Sequence, residues 1–309
     1  KELTNEVMMP FGHGDGGGGP ETENIELLER LKYGVANCPQ PHWEFAGEFL
    51  ERLRKKTEGN KRLPKWVGEL YLEFHRGTYT SQAKNKRNNR KSEILYQKAE
   101  MLSSMAYKLF GASYPQDKLN GGWECILLNQ FHDIIPGSSI RSVYEQCDKD
   151  YAKIAEIGHK AESDAYNTVI SNIKTDGGTV VFNSNSFTDN GFLNYEGKTY
   201  RVNGIPAKGY KVVKLEEYKS SYKLEGKRLE TSNYIVEFND EYVITRLYDK
   251  INDREVLREG GRANYIEAFE DFPYSYDAWE LSNYYTEKKY EINDVSSVEF
   301  IDEGARFGF

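Results

Sequence analysis

The chain has 309 residues, 38% of them hydrophobic and 14% aromatic, and a formal charge of −8. That composition can bury a sizeable core, which excludes a disordered chain and makes more than one domain the default. Lys and Arg are spread among the acids rather than gathered in a stripe, which excludes a nucleic-acid binder and suits a neutral partner. No apolar run approaches the roughly 18 residues of a membrane span, and the polar N-terminus has no charged-then-apolar leader pattern, so the chain reads as soluble. Cys38, Cys125 and Cys147 are odd in number and lack Cys-x-x-Cys spacing, which speaks against a disulfide framework or a thiolate zinc site and for a reducing cytoplasm. The chain opens on Lys1 and closes on Gly-Phe after strand-like sequence, so both ends read as cuts.

In chain order, a strand-like Val7-Met-Met9 precedes Phe11-Gly-His-Gly-Asp-Gly-Gly-Gly-Gly-Pro20, which must be loop. The loop could form an anion nest, but it lacks the Gly-Lys-Ser/Thr end of a P-loop, and Asp15 would repel phosphate. A carboxylate on bare backbone can approach sugar hydroxyls; a flexible linker is the alternative. Ile25, Leu28 and Leu31 lie at helical spacing, as do Phe45, Phe49 and Leu53, with Cys38-Pro-Gln-Pro41 between them. From Trp66 to Phe74, Glu69, Tyr71 and Glu73 alternate with Leu70, Leu72 and Phe74, the period of a strand. Helix alternating with strand implies an α/β layer. Glu69 and Glu73 share a face of that predicted strand, and His75-Arg-Gly-Thr-Tyr79 follows at its carboxyl end, where α/β folds bind ligands. An ordinary polar face is the alternative.

From about Ser92 the period becomes helical, with Ile94, Leu95, Ala99, Leu102, Met105, Ala106 and Leu109 on one face. Trp123 to Phe131 predicts a short second helix and Ser139 to Ile173 a long third one, together an antiparallel bundle. Within Trp123-Glu-Cys-Ile-Leu-Leu-Asn-Gln-Phe-His-Asp-Ile-Ile-Pro-Gly-Ser-Ser-Ile140, His132 and Asp133 stand at the end of an apolar helix, just before a Pro-Gly stop. Imidazole is the commonest metal ligand and a neighbouring carboxylate can bind hydroxyls; a satisfied structural pair is the alternative. His42 and His159 read as structural or solvent-facing. After Asp176-Gly-Gly178 the texture is β, with Thr179–Phe182, Tyr210–Val213 and Tyr234–Phe238 separated by turn clusters, which suggests a sandwich. Tyr outnumbers Trp and Phe, at 23 against 4 and 15; its rings suit sugar faces and half-wet strands alike.

Four segments, Gly12 to Pro20, Gly68 to Gln82, Asn129 to Ser138 and Phe269-Glu-Asp-Phe-Pro-Tyr-Ser-Tyr-Asp-Ala-Trp279, resemble in order the landmarks of glycoside hydrolase family 38 α-mannosidases. The likeness covers essentially the whole chain. It implies a multidomain α+β protein: the end of an α/β barrel-like catalytic domain over 1–85, a three-helix bundle over 86–175, and the start of a truncated β-sandwich domain over 176–309. It implies retaining hydrolysis of α-linked mannose, with a mannose-containing oligosaccharide as partner and one zinc ion as cofactor. His132 matches the family's last zinc ligand and Asp133 its neighbouring sugar-binding carboxylate. Glu69 matches the acid/base, with Glu73 second to it, and Asp15, His13, His75 and Arg76 match substrate-binding positions. The family's first zinc ligands, from a His-x-Asp motif, and its aspartate nucleophile have no counterpart here, so this chain alone is expected to be inactive. A non-catalytic carbohydrate-binding or scaffold module is the rival function. His132 is expected to face the loop holding Asp15. The β region is expected to lean on the bundle, with an open sheet edge that favours a homo-oligomer.

Overall fold

The computed structural model describes residues 3–14, 17–219 and 221–309. The chain forms two compact units, Lys1–Leu70 and Tyr71–Phe309.

The first unit holds two helices, α1 (Thr22–Leu31) and α2 (Ala46–Thr57). Asn24 Oδ1 accepts the Glu21 N–H at the head of α1, satisfying a donor the helix leaves unpaired. Arg52 of α2 donates to Glu6 at 3.0 Å and to Glu44 at 2.7 Å, joining the N-terminal segment and the α1–α2 connection to the helix. Both carboxyls are held below their ordinary pKa, chiefly by the Arg52 guanidinium. Phe11 packs on Trp43 with ring centres 5.3 Å apart. The runs expected as strands at Val7–Met9 and from Trp66 to Phe74 lie outside any strand, the second with a bend at Gly68 and a turn at Glu73–Phe74. Alternation becomes a strand only where a neighbour completes the ladder, and no strand is present among the described residues of this unit. Left-handed backbone at Gly68 (φ +127°) and Phe74 (φ +61°) brackets the run, and Leu70 and Leu72 remain 80% and 64% exposed. The α/β layer expected here therefore has no sheet in the described residues.

The second unit opens with the bundle: α3 (Ala83–Phe110), α4 (Gln116–Asn129) and α5 (Arg141–Ser171). Gly111, at φ +70°, ends α3 with the Ala112 N–H turned back to the Ala106 carbonyl, the left-handed stop that glycine favours. Both α3 and α4 begin earlier than their apolar stripes, at Ala83 rather than Ser92 and at Gln116 rather than Trp123. The core joins Tyr96 and Ala99 of α3, Leu119 and Ile126 of α4, and Cys147, Tyr151, Ile154 and Ala161 of α5. Tyr96 lies at the centre and donates to the Ile154 carbonyl at 3.1 Å. Burial raises its phenol pKa to about 12. Ile94 and Leu109, expected in the stripe, are exposed, because the buried face instead runs Asn85, Asn89, Ser92, Tyr96, Ala99, Leu102, Ser103 and Ala106.

Small antiparallel sheets follow. β1 (Thr179–Asn183) pairs with β4 (Gly209–Val213), and β2 (Asp189–Tyr195) pairs with β3 (Lys198–Ile205). β5 (Tyr222–Glu225), β6 (Arg228–Thr231), β7 (Tyr234–Phe238), β8 (Ile244–Asp249) and β9 (Arg254–Glu255) make a five-stranded meander. β10 (Ile266–Phe269) pairs with β11 (Lys289–Ile292), and β12 (Ile301–Asp302) pairs with β13 (Phe307–Gly308). The three β runs read from sequence are β1, β4 and β7. Phe182 of β1 packs against the buried cluster of Leu102, Ala106, Ala165 and Val169, with its ring 5.2 Å from Tyr166, so the first sheet leans on the bundle. Among the described residues no helix is long and apolar enough to cross a membrane.

Candidate functional site

α4 stops at Asn129, and the chain turns through Phe131–Ser139 before α5. His132 and Asp133 lie in this turn, with Nε2 3.2 Å from Oδ2 and side chains 75% and 44% exposed. The turn's backbone is anchored although its side chains project. The Ile134 carbonyl accepts from Asn85 Nδ2 and from the Tyr144 hydroxyl, both at 3.2 Å, and the Ile135 carbonyl accepts from Lys86 Nζ at 2.8 Å. The Asp133 carbonyl accepts from the hydroxyls of Ser138 and Ser139. Just before the turn, Gln130 Nε2 donates to Asn89 and Glu93 at 3.0 and 3.1 Å. A rigid mount for exposed polar groups suits a site that must hold a ligand without rearranging.

The second piece is the turn from Phe74 to Ser81. His75 Nδ1 lies 2.7 Å from the Glu73 carbonyl, and the His75 ring meets Trp279 edge-on at 4.9 Å. Phe74 packs on Tyr276 at 5.1 Å. The Thr78 N–H donates to the Trp279 carbonyl at 3.3 Å, and Ser81 Oγ donates to the Ala278 carbonyl at 2.8 Å. Gly77 is buried under this contact: a Cβ there would sit 3.1 Å from the Trp279 carbonyl oxygen. Arg76 is exposed. Lys86 Nζ, at 2.5 Å from the Ser81 carbonyl and 2.8 Å from that of Ile135, ties this turn to the first. Burial pushes the Lys86 pKa below the ordinary lysine value. Three of the four sequence segments, those holding Ser81, Ile135 and Trp279, thus meet around one corner of the bundle.

Gly137 completes the junction. Its φ is +92°, and a Cβ would lie 2.4 Å from the Ser81 carbonyl oxygen. Gly137→Ala is expected to lower stability by roughly 1–3 kcal/mol from backbone strain alone, and further through the collision with Ser81. Denaturant unfolding measures this, and an unchanged midpoint would mean that the turn can swing away from Ser81 at no cost.

Other candidate residues are not brought here. Glu69 belongs to the first unit and is exposed, its carbonyl accepting from Trp66 Nε1 at 2.8 Å. His13 is in the same unit with Nδ1 3.5 Å from Glu21 Oε1, and Asp15 lies outside the described residues, as does the expectation that His132 faces its loop. Among the described residues no group of three or more His, Cys, Asp or Glu could hold a metal ion. His132 and Asp133 offer an imidazole and a carboxylate, which suit zinc chemically but fall short of the three protein ligands of an open zinc site. Asn85 and Lys86 escaped the sequence reading because the apolar stripe, read from Ser92, starts after the polar first turns of α3. Extending that stripe backwards by helical steps, from Ser92 to Asn89 and Asn85, is the signal that could have found them.

A bundle followed by small antiparallel sheets recurs in a solved α-mannosidase from Enterococcus faecalis V583, which matches 82% of this chain and 40% of its own at a TM-score of 0.51 and 13% identity, a likeness of fold. Residues 73–169 match the α-mannosidase middle domain, and residues 229–307 match the glycosyl hydrolases family 38 C-terminal domain. Alpha-mannosidase G of Dictyostelium discoideum is 44% identical over 150 residues, 48% of this chain and 13% of that protein. Alpha-mannosidase 2C1 of Mus musculus is 28% identical over 310 residues, 94% of this chain and 29% of that protein. These matches support membership of glycosyl hydrolase family 38. The chain spans less than a third of the length of either of these relatives.

Proposed function

We propose that these residues form part of a zinc-assisted α-mannosidase that hydrolyses α-linked mannose in oligosaccharides with retention of configuration, and that the polypeptide works in the cytoplasm, where its free thiols are stable. The observation that carries the reading is the junction at Ser81 and Lys86, which joins His75 and Arg76 to His132 and Asp133 on one corner of the bundle. The barrel-like end over 1–85 and the sandwich over 176–309 belong to the same proposal.

In this reading His132 is one zinc ligand, and the remaining ligands come from sequence outside these residues. Bound zinc would grip sugar hydroxyls and offset the charge developing on the ring. Asp133, His75 and Arg76 hold further hydroxyls, whose donors and acceptors match a carboxylate, an imidazole and a guanidinium. His13 and Asp15 complete the proposed set of substrate-binding residues. Retention needs two carboxyl groups roughly 5 Å apart. A carboxylate outside these residues attacks the anomeric carbon as the glycosidic C–O bond breaks, and Glu69 passes its proton to the departing oxygen. Water then attacks the same carbon, gives its proton back to Glu69 and releases the sugar. With one carboxyl group of the pair and an incomplete ligand set, the 309 residues by themselves should hydrolyse little.

Chelation of the full-length protein is expected to abolish cleavage of an aryl α-mannoside, with added zinc restoring it. His132→Ala should weaken zinc binding by more than the roughly 10- to 100-fold that loss of a ligand's outer partner costs. Calorimetric titration with zinc measures this directly. Cleavage that survives full removal of the metal would remove zinc from the mechanism.

A further inference from the structure

The turn carrying His75 and Arg76 and the turn carrying His132 and Asp133 lie far apart in sequence, yet a sugar bound between them would need their spacing fixed. Lys86, in the first turns of α3, spans them with one ammonium that donates to the carbonyls of Ser81 at 2.5 Å and Ile135 at 2.8 Å. Its neighbour Asn85 is buried and donates to the Ile134 carbonyl at 3.2 Å, so two consecutive residues of one helix grip two consecutive carbonyls of the second turn. Gly137 closes the junction from the other side, where only a bare backbone fits against Ser81.

A lysine is a costly choice for bridging neutral carbonyls, because taking an ammonium out of water is unfavourable. What it brings is strength and reach: bonds from a charged donor are about twice as strong as neutral ones, and three protons on one nitrogen can serve acceptors on separate segments. A neutral apolar side chain of the same length would pack in the same space but leave both carbonyls without this donor.

We propose that Lys86 is a positioning residue of the sugar site: by holding the Ser81 and Ile135 carbonyls on one ammonium it sets the spacing between the His75–Arg76 turn and the His132–Asp133 turn. The catalytic consequence rests on the mannosidase reading; the mechanical coupling does not.

The test compares Lys86→Met and Lys86→Arg with the unchanged full-length protein, by amide hydrogen exchange and by kinetics on an aryl α-mannoside. In Lys86→Met the N–H groups of Ser81 and Gly137, bonded to the Gly77 and Ile134 carbonyls, should exchange at least about 10-fold faster, while those around Ile154 in α5 stay protected. The kcat should fall about 10- to 100-fold with a smaller change in KM, as a misplaced site predicts. Lys86→Arg, which keeps the charge and the donors, should recover most of both. Faster exchange in one turn alone, or throughout α5 as well, would overturn the coupling, and loosened turns with an unchanged kcat would overturn the positioning role. If the unchanged protein cleaves no mannoside, the mannosidase reading falls, and the exchange pattern alone still decides whether Lys86 couples the turns.

Discussion

Glu69→Gln in the full-length protein is expected to slow cleavage of natural mannose disaccharides by roughly 10²- to 10⁴-fold, the usual worth of general acid catalysis. A sugar alkoxide is a poor leaving group and departs only as it is protonated; the amide of glutamine keeps the shape of the side chain but has no proton to transfer. An activated aryl mannoside leaves with little proton help, so formation of its glycosyl-enzyme should suffer much less. The second step still needs a base to take the proton from water, and the covalent intermediate should therefore accumulate. Azide, which attacks without giving up a proton, should restore turnover and yield the glycosyl azide. Burst kinetics and product analysis on the two substrate types make the comparison. Equal losses on both, with no rescue, would transfer the role to Glu73 or to a carboxylate outside these residues. Glu73 belongs to the second unit, two residues before His75, so the same pair of substrates applied to Glu73→Gln separates the two candidates.

Gly122→Ala is expected to destabilise the bundle although it improves helix propensity. Alanine is favoured over glycine in a helix interior by about 1 kcal/mol. Against that, a Cβ at position 122 would lie 1.8 Å from the Tyr96 hydroxyl oxygen and 2.5 Å from its ring carbons. The ring has nowhere to retreat, since a Cβ at Gly158 of α5 would already be 2.8 Å from its other edge, and its hydroxyl is bonded to the Ile154 carbonyl. Overpacking of this kind costs about 1–3 kcal/mol and occasionally more, and a buried hydroxyl displaced from its acceptor costs about 1–3 kcal/mol again. The clash therefore outweighs the propensity, with a net loss of about 1–5 kcal/mol. Removing the nearest of the colliding atoms supplies the control. Tyr96→Phe should be destabilising alone, yet combined with Gly122→Ala it should cost less than the two changes added together, the non-additivity expected of groups in contact. Strict additivity in denaturant unfolding would show that α4 shifts away from α3 and that the ring is not trapped.

Much of the second unit is legible without coordinates because its information is local. The third helix, read over Ser139–Ile173, is α5 over Arg141–Ser171, where apolar residues recur at three- and four-residue steps for many turns. β1, β4 and β7 carry dense β-branched and aromatic residues between turn clusters, and each is a strand. His132 and Asp133 stand out just past α4, which stops at Asn129, in the turn that carries Pro136-Gly137. The segment from Trp66 to Phe74 shows the limit of that reasoning. Its alternation is as regular as that of any strand in the chain, but a strand is defined by its neighbour, and the described residues around it supply none.

The sequence by itself determined what depends on spacing along the chain: three helices, the β texture after Asp176, the four landmark segments and their order. The tertiary structure alone decided which of those segments meet. Ser81 reaches Ala278, a residue 197 positions away, and Lys86 reaches Ile135, 49 positions away, through main-chain carbonyls that carry no signature of residue type. Tyr96 is likewise central only because Gly122 and Gly158, on two other helices, bare their backbones against opposite edges of one ring. A carbonyl is present at every residue and a glycine can serve many purposes, so only the packing of distant elements selects the ones that matter.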